Sequence, residues 1–197
     1  MKLARTVTLA WMATLALSGC VAEAGRNFER PAEESLALGK TTRTEILARF
    51  GPPISEGSRI QNGQPIKTLS YSYSRATAAA HASRVTPARA IGFAFADGVL
   101  VGYDFQSSFE EEHTDFNEAR VADLKEGTTT REQLLSLLGP PQGRQIHPMI
   151  DSKGDEGWFY IYSQWKKGTG IYLKSLLVTI APDGIIRKVS FLSRGAP

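Results

Sequence analysis

One fifteen-residue pattern occurs twice in this chain, so any fold it adopts must give both copies the same local structure. Gly39 to Pro53 reads GKTTRTEILARFGPP and Gly127 to Pro141 reads GTTTREQLLSLLGPP, aligned without a gap, identical at eight of fifteen positions and 88 residues apart. Each copy carries a helix start. Thr42-Arg43-Thr44-Glu45 and Thr130-Arg131-Glu132-Gln133 read as capping boxes, in which the threonine hydroxyl accepts from an early backbone N–H while Glu45 or Gln133 reaches back to the cap. Each copy also carries a helix stop at Gly51-Pro52-Pro53 or Gly139-Pro140-Pro141, because glycine allows the left-handed residue that ends a helix and proline cannot continue one. Between start and stop, Ile46, Leu47 and Phe50, or Leu134, Leu135 and Leu138, form one apolar stripe. The pattern predicts a short amphipathic helix in each copy, with a sheet for it to lie on.

The N-terminus reads as an address. Lys2 and Arg5 precede an uncharged, mostly apolar run of 11 residues from Val7 to Leu17, and Leu17-Ser18-Gly19-Cys20 follows. A membrane span needs about 20 apolar residues, so residues 1–19 are expected to be a secretion signal. The tetrapeptide resembles the lipobox of bacterial lipoproteins, which implies cleavage before Cys20 and acylation there. Cys20 is the single cysteine of the chain, so no disulfide can form within it. Two or three acyl chains anchor a protein stably where one does not. Lipoproteins kept in the inner membrane typically carry Asp after the cysteine; the residue here is Val21, and the outer membrane, facing the periplasm, is the expected location. Residues 20–30 read as lipidated cysteine plus flexible tether.

Composition narrows the rest. Without Lys2 and Arg5, 21 basic residues face 20 acidic ones, a net charge of +1, and no cluster of Lys and Arg marks a nucleic-acid partner. Two modules are expected, at 31–108 and 109–197. In the first, helices over Pro31 to Leu38 and Arg43 to Phe50 precede strands at Leu69 to Ser74, Ile91 to Ala96 and Val99 to Gln106, the last two joined at Asp97-Gly98, a tight-hairpin signal. In the second, helices over Asp115 to Lys125 and Arg131 to Leu138 precede strands at Trp158 to Gln164, Ile171 to Ala181 and Ile185 to Leu192, with Asp183-Gly184 in the corresponding turn. Tyr71 and Tyr73 fall at the same offset as Phe159 and Ile161, aromatics expected to serve core and cross-strand packing. The fold class is therefore α+β: two tandem helix-helix-strand-strand-strand modules, each with a three-stranded antiparallel meander packed on two short helices.

The pattern Gly-x-Thr-Thr-Arg-x-(Glu/Gln)-hydrophobic-hydrophobic-x-x-hydrophobic-Gly-Pro-Pro, followed by an aromatic strand and a hairpin, resembles the BamE (SmpA/OmlA) family of small outer-membrane lipoproteins, here in two copies. That fold is similar to each half of the tandem β-lactamase inhibitor protein. The resemblance implies the module fold and an envelope setting, with an envelope protein as partner, plausibly the outer-membrane assembly machinery. The inhibitor-like alternative would bind its ligand on the surface between the two modules.

Catalytic chemistry leaves few traces. His81, His113 and His147 lie in different segments without metal-site spacing, and no serine sits in a nucleophile elbow. Glu110, Glu111 and Glu112 with His113 and Asp115 could bind a cation, but such a run more often forms the solvated first turn of a helix. The expectation is no enzyme, no cofactor and no metal. Partner-binding candidates come from the connection between first and second strands, where the first copy inserts Arg75 to Ala90 with Arg75, Arg84 and Arg89 and no acid. It reads either as a mobile loop or as a basic arm that docks on an acidic partner or lipid headgroups. Trp158, Trp165 and Tyr172 of the second copy are the other candidates, as interface anchors or as packing.

Overall fold

A computed structural model of the chain describes residues 23–168 and 170–195; the signal segment, Cys20 and Val21 lie outside the described residues. Both capping boxes form. Helix α1 (Arg43–Phe50) starts at Thr42, whose hydroxyl accepts from Glu45 N–H at 3.2 Å while the Glu45 carboxylate accepts from Thr42 N–H at 2.7 Å. Helix α2 (Arg131–Leu138) repeats this with Thr130 and Gln133 at 3.2 and 2.8 Å. Gly51 and Gly139 close the helices at φ 73° and 75°, with ψ −157° and −170°, a region open essentially to glycine alone. Each helix is pinned to the distant Asp-Gly turn of its own copy: Arg43 N–H donates to Gly98 O, and Arg131 N–H to Gly184 O.

The strands run longer than expected and there are more of them. β1 (Glu23–Gly25), β2 (Ser55–Gln61), β3 (Gln64–Arg75), β4 (Ala88–Ala96), β5 (Val99–Ser107), β6 (Gly143–Gln145), β7 (Glu156–Lys166), β8 (Gly170–Ile180) and β9 (Ile186–Arg194) make one antiparallel sheet in the order β1-β3-β4-β5-β6-β7-β8-β9, with β2 also on β3. This overturns the expected α+β arrangement of two three-stranded modules on paired helices. The copies are halves of a single nine-stranded sheet, and among the described residues one α-helix lies on each half.

Three departures explain the difference. Pro31 to Leu38 makes only a 3-10 turn at Glu33–Ser35, because Ala32 offers no capping side chain and a short helix must overcome a costly nucleus. Asp115 to Lys125 makes a 3-10 turn at Glu118–Asp123, starting only after Asp115 and Phe116 have been drawn to the buried Lys174 ammonium, which pairs with Asp115 Oδ1 at 2.7 Å and donates to Phe116 O. Finally, after each Pro-Pro the chain enters the sheet: β2 turns back at Asn62-Gly63 (φ 48° and 74°) to pair with β3, while β6 enters between β5 and β7.

The helices cover one face of the sheet. Leu69, Tyr71, Ile91, Phe93, Phe95, Leu100 and Phe105 pack with Ile46 and Phe50 of α1, and Trp158, Tyr160, Leu176, Val178, Ile180 and Ile186 pack with Leu134 of α2. The tyrosine hydroxyls set the true correspondence between copies: Tyr71 Oη donates to Gly51 O and Tyr160 Oη to Gly139 O, both at 2.9 Å. Tyr71 and Tyr73 thus match Tyr160 and Tyr162, one residue away from the expected Phe159 and Ile161. A slip of one residue exchanges the faces of a strand, so Phe159 and Ile161 lie on the side away from the helices.

Gly143 is where the two halves join. A Cβ there would stand 2.3 Å from Tyr103 O and 2.8 Å from Asp104 Cα, both backbone atoms that cannot swing aside. Gly143→Ala is expected to cost about 3 kcal/mol through displaced backbone pairing. Urea unfolding will show it as a lowered midpoint, whereas Gly184→Ala, open around its Cβ, will show only the strain of its φ of 84°.

Candidate functional site

The face away from the helices is left open, and alternation along the strands decides what it displays. Register places Thr68, Ser70 and Ser72 of β3 beside Ala94, Gly92 and Ala90 of β4, and these beside Gly102, Asp104 and Gln106 of β5. Across β6 follow Phe159, Ile161, Ser163 and Trp165 of β7, then Ile171, Leu173, Ser175 and Leu177 of β8. Small and polar side chains line the first half, and the second carries large apolar ones with Ser163 and Ser175 among them.

Two adjoining clefts, which share Ala90 and Gln106, make this face a trough. The larger, about 440 Å³, centres on Asp104 and is bounded by Arg59, Met149, Phe159 and Ile161. Asn62 Nδ2 donates to Pro148 O and Ile150 O, both at 3.0 Å, and so fixes the segment that carries Met149. The smaller, about 350 Å³, runs past Ser72 and Ser163 to Trp165 and Ile171. Ser163 donates to Gln106 Oε1 at 2.8 Å and links the halves across the trough floor. Trp165 is 52% exposed and Ile171 64%, and they face each other across β7 and β8. Leu192 of β9, 51% exposed, extends the same apolar side.

Asp104 is the unusual group of the face. Gly92 leaves room for it, since a Cβ at that position would meet Asp104 Oδ1 at 3.1 Å. Burial pushes its carboxyl up to about 6, and the charge of Arg59 opposes that rise only in part. Among the described residues no donor reaches the carboxylate, and the Arg59 guanidinium instead contacts Met149 Sδ at 3.7 Å. Asp104 belongs to no motif in the sequence. The available signal was an acid on the wet side of an alternating strand, in line with Gly102 and Gln106.

The six residues expected to bind a partner are dispersed. Arg89 is mostly buried, paired with Glu112 at 3.1 Å and lying 4.8 Å from the Phe109 ring centre. Trp158 is core, with the Arg144 and Arg131 guanidinium groups 5.4 and 5.9 Å from its ring. Tyr172 is buried and donates to Glu118 at 3.1 Å. Arg75 pairs with Glu23 at 3.3 Å. Arg84 and Trp165 alone are brought together on the surface, by backbone bonds from Lys167 N–H to Arg84 O and from Thr86 N–H to Trp165 O, both at 3.4 Å. The connection from β3 to β4 is tied to the end of β7 at these two points. His81 holds it: its N–H donates to Ser108 O, its Nε2 lies 3.2 Å from Asp115, and its ring stacks on His113 at 3.6 Å. Desolvation first, and the neighbouring His81 second, lower the pKa of His113. Glu110–Glu112 is a 3-10 turn rather than the start of a helix, and Glu112 is spent on Arg89 and Ser107. Among the described residues no group of three His, Cys, Asp or Glu side chains is placed to hold a metal, and no helix is long and apolar enough to cross a membrane.

No family model matches the chain, and no curated protein matches it either. The resemblance to the BamE family therefore rests on the sequence pattern alone. A solved structure from Streptococcus mutans, described provisionally as a beta-lactamase inhibitor protein, aligns at 12% identity over 77% of this chain and 82% of that one, with a TM-score of 0.40. A likeness so distant establishes neither fold nor function.

Asp104 ties the trough to stability. Its folded pKa lies above the usual 3.8, so the fold favours the protonated form. The penalty is absent below about pH 4 and complete above about pH 6. Asp104→Asn is expected to flatten stability over that window and to raise it at pH 7 by about 1 kcal/mol, discounted for the partial exposure of the group. Urea titrations at pH 4, 5, 6 and 7 will check the sign.

Proposed function

We propose that this chain is a non-catalytic binding protein, held at the periplasmic face of the outer membrane through Cys20, which docks an envelope protein against the open side of its sheet. The observation that carries this reading is the cross-strand pair of exposed apolar side chains Trp165 and Ile171, with exposed Leu192 of β9 on the same uncovered face. Contiguous apolar surface of this kind, rimmed by polar groups, marks an interaction site, and tryptophan is the residue that most often anchors one. The polar first half of the trough supplies the specificity an apolar patch lacks. The lipobox at Leu17 to Cys20 favours an anchored protein, and the sequence resemblance favours outer-membrane protein assembly as the setting.

Affinity capture from solubilised membranes tests the reading. Trp165→Ser with Leu192→Ser is expected to reduce partner capture at least about tenfold, since hot-spot truncations commonly exceed 1.4 kcal/mol, while leaving the unfolding midpoint within about 0.5 kcal/mol of the parent. Cys20→Ser is expected to move the protein from the membrane to the soluble fraction. Barrel-assembly subunits in the bound fraction support the assembly setting, and a single soluble enzyme supports the inhibitor-like alternative. Capture that is indifferent to the double substitution removes this face from consideration.

A further inference from the structure

The trough contains one group that apolar docking leaves unused. Asp104 presents a carboxylate that no donor reaches among the described residues, in a cleft of about 440 Å³ that is open to solvent on one side. We propose that this cleft seats a cationic side chain, lysine or arginine, presented by the docked protein. The inference rests on the binding reading above and adds to it the chemistry of one contact.

The cleft has the parts such a side chain requires. Phe159, Ile161 and Met149 offer apolar walls for a methylene stem, and Asp104 stands at the floor where the charged head would arrive. Gly92 of β4 and Gly143 of β6, the residues paired with Asp104 on its two neighbouring strands, carry no side chain. Ser70 and Gln106 supply further acceptors for a group with several N–H donors. An anion would be repelled, and a neutral group would leave the carboxylate partly buried without a countercharge. A seated cation supplies a countercharge that offsets the burial raising the Asp104 pKa. Arg59 is the charged group that bears on Asp104, and it stays at the rim against Met149. Its like charge weakens the seat for an incoming cation.

The experiment titrates n-butylammonium and n-butylguanidinium, mimics of the two side chains, into the full mature chain carrying Cys20→Ser, followed by amide chemical shifts in NMR spectra. Saturable shifts at Gly92, Gly102 and Gln145 are expected with both cations and not with n-butanol. Asp104→Asn should abolish them, and Arg59→Gln should tighten binding several-fold. Because Asp104→Asn is expected to stabilise the fold, loss of binding in it cannot be ascribed to unfolding. Equal shifts with n-butanol, or binding that survives Asp104→Asn, would overturn the proposal. Binding that emerges only after Arg59→Gln would overturn it as well, since Arg59 would then be the occupant. The titration needs no partner, so it decides the cation seat even if capture through Trp165 fails. Conversely, capture that depends on Trp165 and is unchanged by Asp104→Asn leaves the docking face standing without this contact.

Discussion

The three residues of β6 make the two halves of this molecule one continuous sheet. Strand β6 pairs on one side with Gly102, Tyr103 and Asp104 and on the other with Gly157, Trp158 and Phe159, so its short backbone closes two edges that would otherwise stand open. Its side chains divide the labour. Arg144 points to the helix side, reaching Glu33 from the first half and Glu156 at 2.6 Å from the second while lying over Trp158. Gly143 and Gln145 belong to the open side, where the absence of a side chain at 143 lets the sheet close up against Asp104. The trough exists because this strand makes two half-sheets continuous.

What could be read from the sequence follows the range of the forces involved. The caps at Thr42 and Thr130 and the stops at Gly51 and Gly139 are local events, decided within four residues, and both α-helices occupy the spans their caps and stops define. The turns at Asp97-Gly98 and Asp183-Gly184 are local too. Asn62-Gly63 carries an equally strong local hairpin signal, and β2 depends on it. Strand β6 had no signal of its own. Three residues have no period, and their place is set by β5 and β7, which lie far away in sequence. The helices expected over residues 31–38 and 115–125 failed for a related reason: Leu36, Phe116 and Lys174 draw those segments into long-range contacts that a weakly capped helix cannot resist.

The basic residues show why composition misleads about partners. Arg89, Arg131 and Arg144 lie close to aromatic rings and within 3.2 Å of carboxylates, as internal ties rather than free positive surface. Guanidinium groups suit this role because their flat faces stack while their edges donate. The charge a partner meets is therefore not the charge a count of residues suggests. On the open side of the trough it is the negative of Asp104 beside the positive of Arg59.

The one-residue correction to the alignment of the copies also separates what the two halves share from where they differ. With Tyr71 matched to Tyr160, the helix-side positions of β3 and β7 carry like residues in both halves, because each must close a helix end and fill the same core. The intervening positions carry Ser70, Ser72 and Ser74 in the first half against Phe159, Ile161 and Ser163 in the second. Packing puts no common demand on those positions, since no helix covers them. The difference at those positions gives the sheet one small and polar half and one more apolar half. Any partner docked across both halves, as proposed, would meet a surface that is not self-similar and could be held in one orientation only.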